Sequence, residues 1–381
     1  MNRVHVAPEI LRWAAERAGF AMQALSRRFP RLLDWERGEA RPTLKQLESF
    51  AKATRTPIGY LFLQEPPEER VPIPDFRTLA TTRLERPSPD LLDTIYLCQR
   101  RHDWYRDFAR SIGEEPLAFV GSARTTDDAV RTAAMIRRTL SFDLDQRRRV
   151  PTWSEALRQF IVQADAAGIL VMVSGVVGSN NRRELNPHEF RGFALCDDLA
   201  PLVFINGADT KAAQMFTLAH ELAHVWLGQT ALSDAEARTE PDHAVERWCN
   251  QVAAELLVPL AAFRAEYRLR AEWRQEAQRL ARVFKVSTLV VLRRMYDLGA
   301  FKRERFWEVY RAELDRLKAL PSSKGGDFYL TLGARVSKRF ARAVVVSTLE
   351  GQTLFRDAFH MLGIKRDATF RGLAEQLGYR I

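Results

Sequence analysis

The chain has 381 residues, 46% of them hydrophobic and 28% charged, with a net charge of +10. That length allows two to four domains at ~100–200 residues each, and the composition excludes collagen-like and disordered chains. Cys98, Cys196 and Cys249 are widely spaced without a CxxC pair, which excludes a disulfide framework and predicts a reducing, cytoplasmic setting; no apolar run approaches the ~18 residues of a membrane span, and Met1 is not followed by a basic and apolar leader.

The charge is unevenly placed. Residues 1–70 carry 12 basic and 9 acidic side chains, 71–260 carry 21 and 26, and 261–381 carry 25 and 13. The last region therefore holds +12. Such asymmetry points to an acidic partner, nucleic acid first, against the plainer reading of a solvated basic surface.

In chain order, residues 8–63 read as short helices. Ile10, Leu11, Ala14, Ala15 and Ala18 have helical spacing and Gly19 stops the run. Helices over 21–29 and 30–37 follow, ended by Gly38. Thr43 and Gln46 make a capping box ahead of Leu44, Leu47, Phe50 and Ala51, and Thr56-Pro57 starts another helix with Pro at its first position. Residues 64–75 contain four prolines and read as a linker. Residues 88–148 are again helical, with Leu91, Leu92, Ile95, Tyr96 and Trp104 as core. From 152 the pattern changes: a helix to Ala167, short strands over 169–173, 192–196 and 201–205, then long helices over about 211–227 and 243–257, the second ended by Pro259. The remainder is mostly helical, with a loop at 321–326 and an apolar run over 343–346. Phe328, Tyr329, Phe340, Leu354 and Phe355 read as core there. Arg335, Lys338, Arg339 and Arg342 fall on one helical stretch open to nucleic acid or a partner.

Residues 220–224 are His-Glu-Leu-Ala-His. On a helix, positions i and i+4 differ by about 40° of rotation, so His220 and His224 point the same way and reach one metal ion. Glu221 is displaced to the side, where it serves as base toward water rather than as ligand. About one sequence in a hundred of this composition would carry the motif by accident. Its flanks (Met215, Phe216, Leu218, Ala219, Leu222, Ala223, Trp226) are apolar, and three ionisable groups on such a helix want a partner. A catalytic zinc needs a third protein ligand and an open fourth place. Glu246, on a stripe with Asn250, Ala253 and Leu257, is the first candidate; His243 and Glu255 are alternatives.

These residues carry a resemblance. The run over 152–259 resembles the ImmA/IrrE family of zincin-like metallopeptidases, through His220-Glu-Leu-Ala-His224 and then Glu246-Arg-Trp-Cys-Asn250-Gln-Val-Ala-Ala-Glu-Leu-Leu-Val-Pro259. Val252 departs from the family pattern, where an aromatic residue is more usual. The resemblance implies Zn2+ held by His220, His224 and Glu246, Glu221 as the catalytic residue, a helical peptidase domain with a small sheet, and action on regulatory proteins. Pro74-Asp-Phe-Arg77 and the tail resemble longer members of the family. Residues 8–63 resemble the Cro/repressor-type (XRE) helix-turn-helix module through Leu33-Asp-Trp35-Glu-Arg-Gly38-Glu-Ala-Arg-Pro42-Thr-Leu44, with Trp35 at a core position. A recognition helix aims its first residues at base edges, here Pro30, Arg31 and Asp34, while Arg27, Arg28, Arg37 and Arg41 suit phosphates. Only Phe29-Pro30 separates the second and third helices, and the usual Gly-containing turn is missing. A second basic pair of helices spans 277–298, with Arg279, Arg282, Lys285, Arg293 and Arg294; packing on the peptidase domain is its plainer use.

The expected fold is α+β and mostly α-helical: a helix-turn-helix bundle over 1–66, a linker and helical segment over 67–150, a zincin-like domain with a small β-sheet over 151–260, and a basic helical region over 261–381. The expected function is a zinc-dependent endopeptidase that cleaves a regulator, such as a repressor, and binds DNA through 1–66 and the basic C-terminal region. The alternative is a non-catalytic regulator, or the antitoxin partner of a toxin, that uses the zincin fold as a scaffold. The plainer reading of the N-terminal bundle, in place of DNA recognition, is dimerisation or partner binding.

Overall fold

The computed structural model describes residues 3–75, 87–233, 244–318 and 333–379. They fall into two compact units, one of 3–72 with 87–95 and one of 73–75 with the residues from 96 onward.

The first unit holds α1 (Pro8–Arg17), α2 (Met22–Ser26), α3 (Leu32–Glu36), α4 (Leu44–Thr54) and a 3-10 turn over Ile58–Phe62. Ile10, Leu11, Ala14, Leu32, Leu47, Phe50 and Leu61 are fully buried between them. Trp35 is buried as expected, and Phe29 sits edge-on to Phe50 at 5.6 Å. The Thr43–Gln46 capping box forms. Two expectations need correction. α2 and α3 are short, so Arg27 to Arg31, and not Phe29-Pro30 alone, connect them. The N–H groups of Arg28 and Phe29 both fold back on the Leu25 carbonyl, and Pro30 disfavours the helical region for Phe29 and offers no donor of its own. After Thr56, Pro57 caps a 3-10 turn instead of opening an α-helix.

From residue 89 come α5 (Pro89–Ser111), α6 (Ala129–Thr139), α7 (Leu144–Arg149) and α8 (Trp153–Ala166). The stretch 88–148 is thus interrupted over 112–128. Gly113, at φ 72, ends α5, and Asp128 caps α6 through the Arg131 N–H. Leu91, Leu92 and Ile95 are buried, but Tyr96 is exposed and does not belong to the core. The sheet contains β1 (Leu170–Ser174), β2 (Gly192–Leu195), β3 (Leu202–Asn206) and β4 (Ala231–Ser233), in the order β1-β3-β2-β4. β1 runs parallel to β3, with Leu170 opposite Leu202, and the other pairings are antiparallel. The strands are buried almost throughout, which explains why they read as apolar runs without alternation. α9 (Lys211–Leu227) packs on β2, β3 and α8, α10 (Ala244–Leu257) packs on α9 and α6, and seven further helices follow among the described residues. Those are α11 (Leu260–Glu266), α12 (Trp273–Phe284), α13 (Thr288–Asp297), α14 (Arg303–Lys318), α15 (Lys338–Leu349), α16 (Phe355–Leu362) and α17 (Asp367–Gln376).

One apolar core runs from Ala123 to Tyr310 and includes Phe160, Leu218, Trp226, Val252, Phe263, Phe284 and Phe306. It crosses residues 150 and 260, so α6 and α12 to α14 share a core with α9 and α10. Within α12 and α13 the basic residues are largely engaged: Arg279 pairs with Glu276 at 2.7 Å, Arg293 with Asp297 at 3.3 Å, and Arg294 is buried. In the tail Phe340 is core, whereas Leu354 is 66% exposed and Phe355 is exposed except where it packs on Phe370. The 321–326 loop, Phe328, Tyr329, Phe76 and Arg77 lie outside the described residues. The three cysteines are unpaired, and among the described residues no helix is long and apolar enough to cross a membrane.

Candidate metal centre

α9 carries the His220 to His224 motif. Thr210 caps it by accepting from the Ala213 N–H, and Gly228 ends it in the left-handed region at φ 66. A Cβ at 228 would come within 2.9 Å of the Gly121 backbone, so conformation and space both call for glycine there. The helix is buried on nearly all sides, which fits its apolar flanks. α10 packs against it and presents Glu246 from its first turn, where the helix dipole favours a carboxylate.

The two helices bring His220, His224 and Glu246 together. His220 Nε2 lies 3.1 Å from Glu246 Oε2, His224 Nε2 lies 3.1 Å from Glu246 Oε1, and the two Nε2 atoms are 3.2 Å apart. All three side chains are buried, and as a group they could hold a metal ion. The separations decide the fit. Zinc bonds to nitrogen or carboxylate oxygen are about 2.0–2.2 Å, so tetrahedral ligand atoms sit about 3.3–3.5 Å from one another, close to what the site offers. His220 Nδ1 donates to Asn250 Oδ1 at 3.0 Å, which leaves the Nε2 lone pair facing the other donors.

The electrostatics also ask for a cation. Burial opposes charge on Glu246, but the two imidazoles outweigh it and hold its carboxyl down to about 2. Burial likewise opposes charge on His220, and Glu246 outweighs it, lifting that imidazole to about 9. Burial keeps His224 below its ordinary value. A carboxylate so placed is stable only beside positive charge, here a proton or a metal.

Glu221 stands apart from the trio. Its carboxylate oxygens are buried, and the Ser233 hydroxyl is the hydrogen-bonding group that faces them. Burial pushes its carboxyl up to about 8, only partly offset by His220. β2 approaches it closely: a Cβ at Gly192 would stand 2.6 Å from Thr217 Cγ2, 2.8 Å from the Phe204 carbonyl and 3.2 Å from Glu221 Oε1. Glycine at 192 is what lets α9 and β2 close around this carboxylate.

The other candidates fall elsewhere. Glu255 pairs with Arg294 at 2.9 Å at the far end of α10 and does not join the site. His243 lies outside the described residues. Ser233 of β4 was not foreseen; its hydroxyl is buried 3.3 Å from His224 Nε2. Asn250, four residues beyond Glu246 on the same stripe of α10, holds His220 from behind, and that spacing is its signal in the sequence. On its outer side β4 meets the chain itself, since Leu232 N–H donates to the Pro74 carbonyl at 2.8 Å. In the first unit Arg27, Arg28, Arg31, Arg37 and Arg41 are exposed. Asp34 is half-buried and lies 3.5 Å from Arg31 and 3.1 Å from Arg37.

Comparison with known proteins covers part of the chain. No curated protein and no solved structure matches it. Residues 336–376 match a family described only as Domain of unknown function (DUF8813). Residues 164–296, which contain both helices of the candidate metal centre, match the model of the IrrE N-terminal-like domain, a peptidase family, and the match supports a metallopeptidase-like fold for this segment.

Proposed function

We propose that the chain is a zinc-dependent endopeptidase joined to a DNA-binding N-terminal module, and that its substrate is a regulatory protein such as a repressor. The observation that carries the peptidase half is the convergence of His220, His224 and Glu246, with Glu221 buried beside them. Two imidazoles and a carboxylate are a donor set of catalytic zinc, with one place left open. The ion, when bound, supplies Lewis-acid chemistry that polarises a carbonyl and acidifies water. The chain's own residues do the rest. Asn250 fixes the tautomer and orientation of His220. Glu221 accepts a proton from the attacking water and delivers it to the departing amine nitrogen. The apolar surroundings of α9 exclude bulk solvent.

Glu221→Gln tests this. The variant is expected to bind zinc as the wild type does and to lose cleavage by at least about a hundredfold. The readout is mass spectrometry of new N-termini in a host lysate treated with either protein. New termini made equally by both, or by neither at full zinc occupancy, end the catalytic reading.

For DNA, the supporting feature is the set of five exposed arginines around α2 and α3. Neutralising Arg27 and Arg28 together should reduce the slope of log affinity against log salt by about two on duplex DNA, near 0.9 per phosphate contact. An unchanged slope removes these residues from the interface.

The scaffold reading has one observation in its favour. His220, Glu221 and His224 are wholly buried, and Pro74 occupies the outer edge of β4. A regulator or antitoxin using this domain only to bind would need no open path to Glu221.

A further inference from the structure

Between α5, α8 and α15 a groove of about 600 Å³ opens to solvent, and no residue of the metal centre lines it. Phe108, Ile112, Val162 and Val346 form its apolar wall. Ile112 is 53% exposed and Val162 45%, unusual for aliphatic side chains that face one another across a cleft. The 336–376 segment of unknown function contributes α15.

The polar end has a definite charge balance. Arg339 donates to Tyr105 Oη at 2.6 Å and to Glu114 at 2.8 Å, so Glu114 is neutralised. Asp165 accepts from the Ser337 hydroxyl and from the Arg339 N–H, and so caps the start of α15. Lys338 and Arg342 remain. They are one turn apart on α15, exposed, and form no hydrogen bond or ion pair among the described residues. Asp165 also lines the groove and attracts Arg342, so Lys338, Arg342 and Asp165 together leave a surplus of one positive charge.

We propose that this groove binds a small amphipathic anion, an alkyl or aryl carboxylate, with its apolar body against Phe108, Ile112, Val162 and Val346 and its charge on Lys338 and Arg342. The volume lies within the ~300–1,000 Å³ of small-molecule sites, which pair an apolar lining with a few placed polar groups. A planar guanidinium matches a carboxylate in two parallel hydrogen bonds, and the ammonium one turn away adds a second charge. A neutral amphiphile would leave the surplus positive charge unanswered.

Isothermal titration of the full chain with decanoate, and with decanol as the neutral control, tests the assignment. Decanoate is expected to fill one saturable site per chain, and decanol to bind on the order of tenfold more weakly. The double variant Lys338→Gln/Arg342→Gln should lose a similar factor. Val162→Glu should weaken decanoate by at least as much, since it places a like charge in the apolar wall. Glu246→Ala should bind decanoate as the wild type does, which separates this site from the metal centre. No saturable binding up to millimolar decanoate, equal affinity for decanol, or indifference to both the charge and the wall variants would overturn the proposal.

Discussion

Replacing Glu246 with alanine is expected to empty the metal centre. The two imidazoles left behind lie 3.2 Å apart between their Nε2 atoms and keep only Glu221, whose charged form burial disfavours, to offset a divalent charge in a buried site. An outer-shell partner such as Asn250 is worth ten- to a hundredfold in metal affinity, and an inner-shell carboxylate more than that. Zinc measured by plasma mass spectrometry after dialysis should fall from about one per chain to background, and the proposed cleavage should go with it. Stability gives an independent readout. Zinc at a thousand times its dissociation constant stabilises a folded protein by about 4 kcal/mol, so adding it should raise the melting temperature of the wild type and leave Glu246→Ala unmoved. His243→Ala serves as the control and should retain the ion. Zinc retained by Glu246→Ala, or lost from His243→Ala, would reassign the third ligand.

The two imidazoles were legible because helical rotation alone aligns positions four apart. Glu246 was harder. The spacing along α10 put it on one stripe with Asn250 but could not say which end of the helix meets α9. Glu255 is nine residues further on, about 13.5 Å along the axis, so it cannot share an ion with Glu246 once one of them is placed. Ser233 had no signal, because a three-residue edge strand shows neither length nor alternation. The groove beside α15 was equally hidden: its walls come from segments as far apart as Phe108 and Val346, and only the tertiary fold makes them face each other. The arginines show the same limit from the other side. In sequence Arg293 and Arg294 are one basic pair suited to phosphate. In the fold Arg293 stays near the surface beside Asp297 while Arg294 turns inward. Composition reveals a charge; what stands opposite decides its use.

What stands opposite Arg294 is the carboxyl end of α10, and there a second large effect is expected. Its Nε donates to the Val258 carbonyl at 2.9 Å, its guanidinium pairs with Glu255 at 2.9 Å and with Asp297 at 3.0 Å, and it is 4% exposed. Arg137 donates to the Glu255 carbonyl at 2.7 Å, and Arg147 donates to that of Leu257. Three guanidinium groups thus answer the negative end of the helix whose positive end carries Glu246. Removing Arg294 leaves the buried Glu255 carboxylate with only the Leu260 N–H at 3.3 Å and the charge of Arg137, and breaking a buried pair costs about 3–5 kcal/mol. Arg294→Ala should therefore lose that much in urea unfolding. Arg294→Met combined with Glu255→Met should recover at least half of it, because no uncompensated charge remains in the double variant. If the single variant loses less than about 1 kcal/mol, the pair is solvated and the capping argument fails. If instead the double variant is no better than the single, the carbonyl contacts to α10, and not the ion pair, hold this end of the helix.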